Sequence, residues 1–110
     1  HRITVEQMAI LEPAMAEIVI LPCQVVIKEA IEEAIQRGVP TQVAYDFALG
    51  HMRVNLGILF GYIDAEISDG AKLAIGLAKE SVFQPDWKKV FEPENVTKEV
   101  KAITQARARK

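Results

Sequence analysis

Three polar residues fall where helical spacing calls for apolar ones: Glu12, His51 and Asn55. Glu12 lies in the run from Met8 to Ile27, MAILEPAMAEIVILPCQVVI, which is nearly continuous hydrophobic sequence. On a wheel of about 100° per residue it shares a face with Met8, Met15, Ala16, Val19, Cys23 and Val26. Glu17 falls instead with Glu6, Gln7, Gln24, Lys28 and Glu32, a polar stripe. A carboxylate on a dry face is costly unless it is paired, hydrogen-bonded or bound to a ligand. Glu12 is therefore either satisfied internally, by a backbone group or His51, or it lines a site. His51 and Asn55, spaced i and i+4, fall among the dry residues Ala44, Phe47, Ala48 and Ile58 of a later helix. Glutamate with histidine can orient a general base or supply two metal ligands, and two ligands leave a site open to substrate or water. The bland alternative for His51 is a paired core histidine.

Lys72 and Lys79 read first as solvated lysines. The stretch Ser68-Asp-Gly-Ala-Lys72 is a capped helix start whose free N–H groups could receive an anion, with Lys72 beside it. No Gly-x-Gly-x-x-Gly, Walker loop, Cys-x-x-Cys or His-Glu-x-x-His occurs, so the sequence carries no cofactor-binding signature.

The elements that must position these residues are helices. Thr4 with Gln7 has capping-box spacing, and Gly38 followed by Pro40 is a stop signal, so one long helix is predicted over about 4–37. Pro13 and Pro22 should bend it. Being apolar nearly all round, it is expected to be mostly buried, against a second subunit or another domain. Thr41 is placed as the cap of a second helix running to about Phe60. Gly50, Gly57 and Gly61 line up along it, which predicts close approach of another backbone. Ser68 or Asp69 caps a third helix to about Phe83, with Ala71, Ala74, Ile75 and Ala78 inward. Asp86 is placed as the cap of a short turn, Trp87 to Phe91, that clamps onto the bundle. Pro93-Glu94 opens a last helix ending in the basic run Gln105 to Lys110, whose tip is expected to fray. No alternating apolar runs occur between turns. The expected fold is all-α, a single helical domain over 1–110.

With 13 basic against 15 acidic residues there is no basic field, and nucleic acid is not an expected partner. A membrane span is also not expected, because two carboxylates and two prolines interrupt the apolar run and its flanks lack basic or aromatic anchors. Half of the residues are hydrophobic, which in so short a chain points to a buried interface. The single cysteine, Cys23, gives no disulfide framework, and no signal peptide is recognisable, so a cytoplasmic location is expected. The chain opens at His1 and enters a helix at Thr4, which fits a piece cut from a longer chain; processing or a cloning remnant are the other two readings.

The run Thr4-Val-Glu-Gln-Met-Ala-Ile-Leu-Glu-Pro-Ala-Met-Ala-Glu resembles the first helix of the phosphogluconate-dehydrogenase-type C-terminal domain. The resemblance continues through Arg37-Gly-Val-Pro, Leu49-Gly-His, Ile58-Leu-Phe-Gly, Ser68-Asp-Gly-Ala-Lys and Pro85-Asp-Trp-Lys, covering nearly the whole chain. Within that family it is most similar to bacterial sugar-acid oxidoreductases of the D-apionate oxidoisomerase kind. In such proteins an N-terminal Rossmann domain binds NAD(P), while the helical domain dimerises and closes the substrate site. The resemblance thus implies NAD or NADP held by a domain absent from this chain, a homodimer, and a small hydroxy-acid substrate. It also implies oxidation with metal-assisted isomerisation, a divalent metal being held by helical-domain carboxylates. Glu12 is the residue matched to that role, with His51 second. The lysine-plus-asparagine helix of the true 6-phosphogluconate dehydrogenases is not recognisable, so the likeness does not extend to decarboxylation.

Two expectations follow. The chain is the dimerisation and substrate domain of an NAD(P)-dependent oxidoreductase, with Glu12 and His51 catalytic or metal-binding and Asn55 and Lys72 contacting substrate. Alternatively it is a non-catalytic helical module whose long apolar helix assembles subunits.

Overall fold

A computed structural model describes residues 2–108, and among them every regular element is helical. Helix α1, Val5–Gln36, is followed by α2, Thr41–Leu59, and α3, Asp69–Ser81. A 3₁₀ turn, Trp87–Phe91, then leads into α4, Pro93–Ala108. His1 and the basic tip at 109–110 lie outside the described residues, and with them the expectation of fraying.

Local chemistry sets the ends of α1. At its start the Thr4 hydroxyl accepts from the Gln7 N–H at 3.0 Å, and the Gln7 side chain accepts from the Thr4 N–H at 2.8 Å, the reciprocal pair its spacing predicts. At its end Gly38 adopts φ 106°, a backbone region that disfavours a Cβ. Gly38 N–H bonds Ile35 O at 3.0 Å and Val39 N–H bonds Ala34 O at 3.1 Å, the double closure of a Schellman motif.

Neither proline ends α1. Pro13 falls inside a π-helical segment, Ile10–Ile20, where the bonding register widens to i→i+5. Pro13 offers no N–H, and its ring crowds the carbonyl four residues back, which favours a wider turn there. The 3.6-residue wheel therefore fails over this segment. Glu12 is exposed and Glu17 is half-buried, the reverse of the faces assigned by the wheel.

The helix is also not mostly buried, as its composition suggested. Only Pro13, Ala14 and Ile31 are buried along it, while Met8 is 49%, Leu21 53% and Val26 51% exposed. Too few elements pack against it in this chain to cover its circumference.

Packing contacts gather the chain into two compact units. The first joins residues through Val26 to those from Asp86 onward. Here the π segment, the 3₁₀ turn and α4 pack on one another around Ala14 and Val96. Trp87 and Phe91 meet edge to face at 6.4 Å within the turn, and the turn packs on the π segment and α4, on the bundle as expected. Asp86 makes no side-chain cap to it; its carboxylate instead accepts from Lys89 Nζ at 3.2 Å.

The second unit is Ile27–Pro85, with Ile31, Ala44 and Gly57 buried. Thr41 is the first residue of α2 and Pro40 takes the cap position, without a side-chain bond. Ser68 caps α3, accepting from Ala71 N–H at 3.1 Å. Ala71 and Ala78 are half-buried on α3, whereas Ala74 and Ile75 remain exposed. Gly61, expected within the second helix, lies beyond it at φ 79° and helps close its end.

Candidate functional site

The most defined polar geometry centres on His51 in the second unit. Helix α2 sets Phe47 and His51 one turn apart, so their side chains stand over the same strip of surface. The rings stack with centroids 4.1 Å apart and planes inclined by 28°. His51 Nδ1 lies 3.0 Å from the Phe47 carbonyl oxygen. Because a carbonyl only accepts, Nδ1 is the donor, and in the neutral ring Nε2 carries the lone pair. Nε2 is thus the atom available to take a proton or bind a partner.

His51 and Asn55 are both exposed rather than dry as the wheel placed them. Helix α2 is thinly covered: Ala44 and Gly57 are buried, and Tyr45, Ala48, Met52 and Ile58 are half-buried. Asn55 stands one turn beyond His51, so a small molecule held against α2 could meet an imidazole and an amide together. Phe47 was legible only as an apolar residue, although its i, i+4 spacing to His51 was the signal for the stack.

Lys72 lies in the first turns of α3, its Nζ 3.8 Å from Glu66 Oε2, with both side chains exposed. The N-terminus of α3 is a poor anion receiver, since Ser68 already takes one N–H and Asp69 adds negative charge in the first turn.

Glu12 belongs to the first unit and is exposed. The carboxylate constrained by burial there is Glu99 on α4. Its Oε2 is enclosed without a hydrogen-bond partner, and burial pushes its carboxyl pKa up from the ordinary 4.5. Sequence periodicity gave no sign of it.

In the second unit an apolar groove runs between α1 and α2, lined by Ile27, Ile31, Val39, Val43, Ala44 and Phe47 among others. It has the character of a protein-contact surface rather than of a sugar-acid pocket, which needs converging polar groups. By length and composition, α1 would also suffice to cross a membrane.

Among the described residues no three His, Cys, Asp or Glu side chains come together as a metal set. Glu12 lies in the first unit and His51 in the second, and neither belongs to such a set. The described residues likewise show no glycine-rich phosphate loop for a dinucleotide.

Fold and site define an all-helical domain with a large uncovered apolar surface and one oriented histidine. The chain belongs to the family described as phosphogluconate dehydrogenase (decarboxylating) C-term, which it matches over residues 1–104. It is 42% identical over 104 residues to a D-apionate oxidoisomerase from Rhizobium rhizogenes and 38% identical over 104 residues to one from Cupriavidus necator. Each alignment covers 94% of this chain and 38% of the relative, so the chain spans well under half the length of these curated relatives. A crystal structure from Cupriavidus necator, a semialdehyde dehydrogenase NAD-binding protein in complex with calcium and NAD, superposes with a TM-score of 0.91 at 38% identity. That match covers 94% of this chain and 37% of the solved one.

Proposed function

We propose that residues 1–110 form the helical C-terminal domain of an NAD(P)-dependent oxidoreductase that oxidises a sugar acid or other small hydroxy acid. The observation that carries this reading is the TM-score of 0.91 over 94% of the chain to a protein crystallised with NAD and calcium. The D-apionate oxidoisomerase relatives support a sugar acid as the substrate class. In this reading the cofactor sits in a domain outside this chain, the enzyme is a cytoplasmic homodimer, and α1 supplies contact surface.

Oxidation of a hydroxy acid takes a proton from the hydroxyl and a hydride from its carbon. The nicotinamide ring, when bound, supplies the hydride acceptor. On this chain Nε2 of His51 receives the hydroxyl proton, and the Asn55 amide hydrogen-bonds substrate oxygens. Lys72 exchanges Glu66 for the substrate carboxylate, while Glu12, in the first unit, is a separate candidate for binding substrate or metal.

The test uses the full-length protein with a panel of sugar acids and with NAD or NADP. His51→Gln is expected to lower kcat/KM by roughly 100-fold or more, the usual contribution of a positioned base, with cofactor binding unchanged. Glu12→Gln should lower turnover as well. Wild-type kinetics in both variants would remove these residues from the site.

The uncovered apolar length of α1 favours a second reading, a non-catalytic assembly module. It requires that His51→Gln and Glu12→Gln alter only association or stability. An intact native polypeptide no larger than this chain would favour it, and one carrying a further domain of about 100–200 residues would favour the oxidoreductase.

A further inference from the structure

We propose that Phe47 is the positioning residue of His51, holding the imidazole so that Nε2 is its only basic atom. The inference rests on the reading that His51 contacts substrate, and it says how the chain prepares that contact. Two independent constraints converge. The Phe47 carbonyl, 3.0 Å from Nδ1, takes the single N–H of the neutral ring and selects its tautomer. The Phe47 ring, stacked at 4.1 Å and 28°, fixes the plane of the imidazole.

Phe47 is 65% exposed, so core packing alone does not account for an aromatic ring at this position. The exposure of His51 makes the support necessary. A histidine lacking buried neighbours rotates among its rotamers and exchanges tautomers, and a misplaced base loses much of its rate advantage. Backbone and side chain of one residue here supply what a buried carboxylate commonly supplies elsewhere.

The experiment combines ¹⁵N-histidine NMR with kinetics on the full-length protein, the His51 signals being assigned by their loss in His51→Gln. With the ring neutral, His51 should show the Nδ1–H tautomer. Phe47→Leu keeps the carbonyl but removes the ring. It should lower kcat about tenfold or more with little change in KM, and average the two ¹⁵N shifts toward each other. Phe47→Tyr should restore both. A dominant Nε2–H tautomer, or Phe47→Leu with wild-type kinetics and spectrum, would overturn the proposal. Should Phe47→Leu not fold, the wild-type tautomer decides. If His51→Gln keeps full activity while the Nδ1–H tautomer is seen, the proposed function fails instead and the positioning geometry stands.

Discussion

The side chain of Ile63 fills the space that a β-carbon on Gly57 would occupy: its Cγ1 lies 2.6 Å from that position. The Gly57 carbonyl also accepts from the N–H groups of Tyr62 and Ile63, at 2.7 and 2.9 Å. One glycine thus both closes α2 and seats the loop that follows it.

Gly57→Ala is accordingly expected to destabilise the second unit by about 1–3 kcal/mol, as overpacking does. Gly50, on the same helix, has nothing within 4 Å of where an alanine methyl would stand, so Gly50→Ala should stabilise by up to about 1 kcal/mol. Urea denaturation of the two variants checks the opposite signs, and Gly57→Ala with Ile63→Ala should recover part of the loss.

Glu99 gives a pH dependence whose sign is fixed by burial. Its folded-state pKa is raised above 4.5, so the folded state holds the proton more tightly than the unfolded chain. The stability linked to that proton is present below the unfolded value and is lost as pH rises through the folded one. Glu99→Gln should therefore raise Tm at about pH 7 more than at about pH 4. Equal shifts at the two pH values would show that the carboxyl is not titrating in this way.

The Thr4–Gln7 pair is the only reciprocal cap seen among the described helices. Thr4→Ala should weaken the first turn by about 1 kcal/mol, read as faster amide exchange from Val5 to Ala9 with global stability little altered.

Leu21 tests the uncovered surface of α1. It is 53% exposed, so Leu21→Glu should change the stability of this chain by no more than about 0.5 kcal/mol. In the full-length protein the same change should shift a dimer toward monomer by sedimentation. A dimer unaffected by it would place the subunit contact elsewhere.

The sequence by itself determined the helical elements and several of their ends. Thr4 with Gln7, Gly38 before Pro40, and Ser68 act within a few residues of chain, through hydrogen bonds that local spacing fixes. It also carried the family, because the matching segments run through nearly the whole chain. Tertiary structure alone decided which faces are dry. Periodicity reports an apolar stripe but not whether anything packs on it, so α1 was expected to be buried and is open. The wheel assumed a uniform 3.6-residue turn, and the π segment around Pro13 broke that assumption at Glu12 and Glu17. His51 was legible as a polar residue among apolar ones. That its Nδ1 faces a carbonyl one turn away followed only from the folded geometry, a distance that residue types do not encode.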